Sequence, residues 1–473
     1  MTLLDLSGRE IARRIAARET SATEVMTAAL DRIDAVNGKV NALVSLRPRD
    51  DLMAEAAAAD RALEAGERAG PLHGLPIAVK DLANVAGLRT SMGSPITEGT
   101  VAQTDDLFAA RMRDAGAIFI GKANAPEFGL GSHTFNPVFG ATLNPYAPDR
   151  SAGGSSGGSG AALAARMQWL CDGSDAMGSL RNPAGWNNVY GFRPSWGRIP
   201  PDAAGDAVMH PLSTMGPMAR DVGDLAYLLD VMAGPAPHAP YGPAPERFSG
   251  RIAAPVKGRR IAWGGDWGGA WPMEPGVMEL CETAVATFSD LGCEVETIAP
   301  PFPAEDLWES WTVLRAFSVL GRVGPLYENP KTRAQLRDVA IWEVEQGLAL
   351  TPQKILRASA IRSRWHAALA RFFESYDALV LPTAQCFPFP VEQSHPTRIA
   401  GREMDTYHRW MEVMIPASLA GLPALGAPAG FSSEGLPMGL QIIGPYGGDL
   451  GVLQLGEAYH GATGWPDRSP PPL

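Results

Sequence analysis

GGSSGGSG, residues 153–160, puts five glycines and three serines into eight positions. Three readings are open: a flexible linker, an anion cradle at a helix start, or the bent backbone of an active site. A linker joins two stretches of ordinary composition, but these flanks are unusual in their own right. Downstream, AALAARMQWL (161–170) is a helix-forming sequence, which sets the glycines at a helix N-terminus. CDGSDAMGSLRNPAGW (171–186) then brings a second Gly-Ser turn before Pro183. Upstream, LPIAVKD (75–81) is a short apolar strand that carries Lys80, one of six lysines in the chain. A lysine just beyond PIAV is held against apolar walls, where its charged form is disfavoured and its pKa falls. A neutral lysine can take a proton from a serine hydroxyl. The bland alternative for a lone lysine is a solvated surface residue.

The surrounding chain alternates between strand and helix patterns. Residues 4–36 read as two amphipathic helices, with Ser21 and Glu24 forming a capping-box pattern. An alanine-rich helix follows at about 50–66. AIFIGKAN (117–124) is a second strand, separated from the first by the helical DDLFAARMRDAG (105–116). Such alternation predicts a sheet with helices on its faces. Residues 233–258 are rich in Pro, Gly and Ala and read as an irregular connection. Residues 265–375 read as mostly helical. YDALVLPTA (376–384) and MGLQIIG (438–444) return to strand texture, and PDRSPPPL (466–473) reads as a frayed tail.

Composition narrows the function classes. With 473 residues, 45% hydrophobic and 19% charged, the chain can bury one large α/β core. A net charge of −11 argues against a nucleic-acid partner, since no broad face would neutralise phosphates. The four cysteines have no metal-type spacing and read as buried thiols. The eight histidines show no H-x-x-x-H or Cys/His grouping, so neither a metal nor a cofactor is expected. No window approaches the roughly 20 apolar residues of a membrane span, and MTLLDLSGREIARR has no long apolar run. A soluble, cytoplasmic protein is the expectation.

Ordered blocks of text decide between the readings of 153–160. GLPIAVKD (74–81), GKANAPEFG (121–129), NPVFGATLNP (136–145), GGSSGGSGAALAA (153–165) and GSDAMGSLRNPA (173–184) are followed by GFRPSWGRIP (191–200) and GPMARDVGDL (216–225). GLPALGAPAGF (421–431) and GLPMGLQIIGP (435–445) come near the end. This text resembles the amidase signature family of serine hydrolases, over roughly 70–240 and 376–450. The resemblance implies a single large α/β domain with a twisted mixed sheet flanked by helices on both faces. Residues 1–70 would be N-terminal helices on the core, and 71–232 the signature core. Residues 233–375 would be a variable, mostly helical cover over the substrate, and 376–473 the C-terminal part of the core sheet.

The same resemblance implies a triad without histidine. Ser179 looks like the nucleophile, Ser155 like the bridging serine behind a cis Gly154–Ser155 bond, and Lys80 like the terminal base. Backbone N–H groups of Ala176, Met177, Gly178 and Ser179 would form the oxyanion hole. Ser174, Asp175 and Arg181 would brace the turn, Ser174 and Asp175 by side-chain to backbone bonds. Ser156 and Ser159 read as structural polar groups. Most family members have two glycines before the nucleophile, whereas this chain has Met177 and Gly178. Met177 either narrows the acyl pocket or packs away from it. Gly129, Leu130 and Gly131 are further lining candidates.

Two rival readings come from other classes. G-x-S-x-G around Ser155 or Ser156 matches a nucleophile elbow, which would need a late histidine such as His395, His408 or His460. A glycine-rich turn before a helix can also bind an anion, but the phosphate-loop lysine is missing. Within the family, the glutamine-hydrolysing subunit of the tRNA-dependent transamidase shares these motifs and would need a partner chain. For the substrate, Trp263, Trp267, Trp271, Trp308, Trp311, Trp342 and Trp365 read as helix-packing core or as the wall of an apolar channel. No cluster of arginines marks an acidic substrate. The expectation is therefore an amidase acting on a small apolar or aryl amide. A carbamate (urethane) or an ester is the alternative, and a homodimer is implied by the family.

Overall fold

The computed structural model describes residues 2–67, 70–202, 206, 208–209 and 212–473. Its main layer is an eight-stranded mixed sheet. The strand order is Glu294–Thr297, Arg260–Trp263, Ala378–Pro382, Pro437–Ile443, Ala424–Phe431, Tyr190–Arg193, Thr214–Ala219 and Leu170–Asp175. The first three strands are parallel and every later pairing is antiparallel. Successive residues of a strand face opposite sides, and one pair shows how both faces are covered. Leu425 meets Gly456 of helix Asp449–Thr463, while its neighbour Gly426 lies against Arg181 of helix Arg181–Trp186. The fold is the helix-flanked mixed sheet that the sequence predicts.

A three-stranded sheet, ordered Leu43–Val44, Ile118–Ala123, Pro76–Lys80, abuts the last strand of the large one. No backbone ladder joins the two sheets. Instead, the edge N–H of Ala78 donates to Gln168 Oε1 at 2.8 Å and that of Lys80 to Asp172 Oδ1 at 2.9 Å. Side chains thus satisfy donors that an open edge would leave bare. The seam also fixes Lys80 opposite the strand that leads into Ser179.

The N-terminal helices Gly8–Ala16, Ala22–Val40 and Arg49–Glu64 appear where the sequence places them. The capping box at Ser21 forms in both directions, with Glu24 N–H donating to Ser21 Oγ at 3.0 Å and Ser21 N–H to Glu24 Oε2 at 2.8 Å. The first helix is anchored by Asp224, whose carboxylate accepts from the N–H groups of Gly8 and Arg9 at 2.6 and 2.9 Å.

Three local expectations are corrected. The helix after the serines spans Gly157–Ala164, so it begins within the glycines and ends before Leu170, which opens a strand. The stretch 265–375 is mostly helical, but Glu294–Thr297 pairs with Arg260–Trp263 at the edge of the main sheet. The C-terminus is docked rather than frayed: helix Trp465–Arg468 leads to Ser469, whose carbonyl accepts from Tyr146 Oη at 2.7 Å and Asn188 Nδ2 at 3.2 Å. Among the described residues, no helix is long and apolar enough to cross a membrane.

Candidate active site

The strand Pro76–Lys80 ends with the Lys80 side chain fully enclosed. Its Nζ donates to three hydroxyls: Ser155 Oγ at 2.7 Å, Ser156 Oγ at 2.9 Å and Ser174 Oγ at 3.0 Å. Burial carries the Lys80 amine from 10.5 down to about 7, although the carboxylates of Asp172 and Asp175 pull the other way. A lysine in this setting is partly neutral at physiological pH and can accept a proton. Asp172 itself is pushed up to about 6 by burial, against the Lys80 N–H and the charges of Lys80 and Lys122.

Ser155 follows a cis Gly154–Ser155 peptide. Close backbone approach explains the glycines after it: a Cβ on Gly158 would lie 2.3 Å from Asn124 N, inside any allowed contact. Ser156 is more than a structural polar group, because its hydroxyl contacts the lysine and also accepts from Ser174 N–H at 3.3 Å. Ser159 does keep the structural role, donating to the Asp172 carbonyl at 2.8 Å.

The strand Leu170–Asp175 delivers the turn 176–179. Asp175 holds that turn: its carboxylate accepts from Gly178 N–H at 2.8 Å and Leu180 N–H at 3.2 Å. Arg181 donates to it from Nε at 3.0 Å and from Nη2 at 2.9 Å, and Arg193 Nη1 lies 3.2 Å away. Burial favours the neutral acid, but the Arg181 charge and hydrogen bonds, followed by Arg193, hold the carboxyl well below its usual range. Arg181 also reaches Ser418 Oγ at 2.8 Å and Gln441 Oε1, and is wholly buried rather than a surface partner. Ser174 departs from expectation, since its hydroxyl serves Lys80 and not the turn backbone.

Because Asp175 occupies Gly178 N–H, the oxyanion donors narrow. Among the described residues, the N–H groups of Ala176, Met177 and Ser179 are left without a partner. Gly178 stands at φ +85°, and a Cβ there would strike Met414 at 2.5 Å. A glycine is therefore required at this point even though its N–H is not free.

Ser155, Ser174, Ala176 and Ser179 line one cavity of about 220 Å3. Gly129 and Leu130 line it too, and a Cβ on Gly129 would stand 3.8 Å from Ser155 Oγ. Gly131 and Met177 instead border a small adjoining hollow that Ser179 shares. Met177 is packed into the hydrophobic core, away from the larger cavity. Among the described residues, the Ser155 and Ser179 hydroxyls share the cavity without a hydrogen bond between them.

The remaining wall was only partly legible in the sequence. Trp311, Arg315, Ser318, Val319 and Arg322 line the cavity from helix Ala304–Glu328, at the spacing of one helix face. Of the seven tryptophans, Trp311 reaches the cavity, while Trp267 and Trp271 stack at 4.8 Å inside the core. The two arginines contradict the expectation that no arginine cluster marks the site.

The rival histidines do not assemble a triad. His460 bonds Tyr190 Oη at 3.1 Å and His395 bonds Ser394 Oγ at 3.0 Å. His408 borders the small hollow, but its Nδ1 is taken by Thr406 Oγ1 at 2.7 Å. Among the described residues, no group of three His, Cys, Asp or Glu side chains is placed to hold a metal.

Comparison with known proteins agrees with this geometry. The sequence pattern described as Amidase matches residues 24–453. An acylamidase from Rhodococcus erythropolis is 34% identical over 98% of this chain and 97% of its own length. The amidase-type subunit of a glutamyl-tRNA(Gln) amidotransferase from Thermus thermophilus is 36% identical over 96% of each. Among solved structures, a bacterial aryl acylamidase superimposes with a TM-score of 0.91 at 28% identity, covering 99% of both chains.

Proposed function

The chain belongs to the amidase signature family and is a hydrolase of carbon–nitrogen amide bonds; on that premise we propose that it opens a small apolar or aryl amide through an acyl-enzyme on Ser179. Ser179 Oγ attacks the carbonyl and passes its proton to Ser155, which hands its own to neutral Lys80. The relay then runs backwards and protonates the leaving amine. Water repeats the first step to release the acid. Substrate binding brings the Ser179 and Ser155 hydroxyls into contact, as catalytic hydrogen bonds often tighten only in the complex. The free N–H groups of Ala176, Met177 and Ser179 receive the developing oxyanion.

One observation carries this reading: a buried, weakly basic amine touches Ser155 at the floor of the cavity that also holds Ser179. The apolar preference is supported by Phe128, Leu130, Trp196, Leu212, Trp311 and Val319 along the wall. Carbamates and esters present the same carbonyl and are the alternative substrates. A panel of p-nitroanilides, p-nitrophenyl carbamates and p-nitrophenyl esters of varied acyl length tests the order. Anilide turnover that disappears in Ser179→Ala supports the reading, and activity on esters alone refutes it.

A second reading has its own support, namely the 36% identity to a transamidase component. It requires a partner chain. Glutaminase activity that appears only when a partner co-purifies would favour it over free-standing amidase action.

A further inference from the structure

The cavity wall contributed by helix Ala304–Glu328 holds two cations in different states. Arg315 is already neutralised: its Nε donates to Glu343 Oε1 at 2.5 Å and its Nη2 to Tyr407 Oη at 2.6 Å. It borders both the main cavity and the hollow beside Ser179, so it stands at the catalytic end. Arg322 lies seven residues on, or about 10 Å further along the helix axis. Among the described residues, its guanidinium has neither a hydrogen bond nor an ion pair.

The other charges around it do not change that. Glu343 is committed to Arg315 and Tyr407. Asp206, the acid on the cavity wall, accepts from the N–H groups of Val208 and Met209 at 3.0 Å each. Arg322 is open to the cavity yet surrounded by protein, and burial followed by the Arg315 charge weakens its hold on a proton. A guanidinium presents a planar fork that matches a carboxylate with two parallel hydrogen bonds. In a partly desolvated site such a pair is worth more than in water.

We propose that Arg322 is a specificity-determining residue that pairs with a carboxylate on the substrate, several bonds from the scissile amide. The substrate class is then an amide acid: an apolar or aryl body with the reacting carbonyl at the serines and an anionic end at Arg322. This rests on the amidase reading above and adds the charged end to it.

The test compares matched amides with and without a carboxylate. One arm uses p-nitroanilides of succinate, glutarate and adipate against p-nitroanilides of butyrate, valerate and hexanoate, which places the charge on the acyl side. The other uses 4-acetamidobenzoate against acetanilide, which places it on the amine side. The quantity read is the ratio of kcat/KM for the acid to that for its neutral partner. We expect a ratio of about tenfold to a hundredfold in one arm, carried mainly by KM, as for a hydrogen bond to a charged group. Arg322→Gln brings that ratio down to near one, and Arg322→Lys restores part of it. A merely structural role for Arg322 would lower both substrates together and leave the ratio intact. A wild-type ratio near one in both arms, or a ratio unmoved by Arg322→Gln, overturns the proposal while Ser179-dependent cleavage of the neutral amides keeps the amidase reading. If no amide is cleaved in either arm, the amidase reading fails and this proposal falls with it.

Discussion

Lys80 Nζ sits 2.7 Å from Ser155 Oγ in a fully buried site, with burial holding the amine near 7. The relay needs the deprotonated amine, and the fraction deprotonated grows as pH rises through that value. kcat/KM on a neutral amide is therefore expected to rise about tenfold per pH unit below pH ~7 and to level off above it. A pH–rate profile from 5 to 9 checks this. A flat profile, or one that falls as pH rises through 7, contradicts a basic role for Lys80.

Ser156 supplies one of the three hydroxyls around that amine. An ammonium uses all three donors, so removing an acceptor disfavours the charged form. Ser156→Ala should therefore move the midpoint of the profile to lower pH. It should also lower kcat by about tenfold, because the base loses a restraint on its position. Thermal unfolding of the variant, measured alongside, separates this from loss of the fold. A midpoint that stays in place or moves up would show that the hydroxyl does not act on the lysine.

Asp175 lies between two buried guanidinium groups, those of Arg181 and Arg193. Asp175→Asn leaves both without their counter-charge, a loss of about 3–5 kcal/mol when a buried pair is broken. Since the folded-state carboxyl is held below its ordinary value, its contribution is present above the unfolded carboxylate pKa and is lost only as pH falls through the lower folded value. Urea unfolding at pH 7 should show the full gap between wild type and variant. A difference under about 1 kcal/mol would mean that the arginines find other partners.

Much of this site was legible because its chemistry lies in short local blocks. The apolar run before Lys80 predicted both a strand and a buried amine, and both are present. The Gly-Ser stretch did mark bent, closely packed backbone. Helix propensity misplaced the helix beyond it, since Gly157–Ala164 is stabilised by tight packing that the glycines permit and not by their intrinsic preference. Ser156 could not be told from Ser159 in the sequence, because only the fold decides which hydroxyl faces Lys80 and which faces the Asp172 carbonyl. The arginine wall was hidden for a similar reason. Helix Ala304–Glu328 carries apolar residues around much of its circumference, so its text does not show which face meets the cavity. Arg315 and Arg322 become neighbours of the serines through contacts across some 140 residues of chain.

The central claim is that Ser179, and no other hydroxyl in the cavity, attacks the carbonyl. Treatment with a fluorophosphonate followed by peptide mass mapping tests it directly. A single adduct on the peptide bearing Ser179, absent in Ser179→Ala, is the predicted result. An adduct on Ser155 or Ser156, or amide turnover that survives in Ser179→Ala, would contradict it.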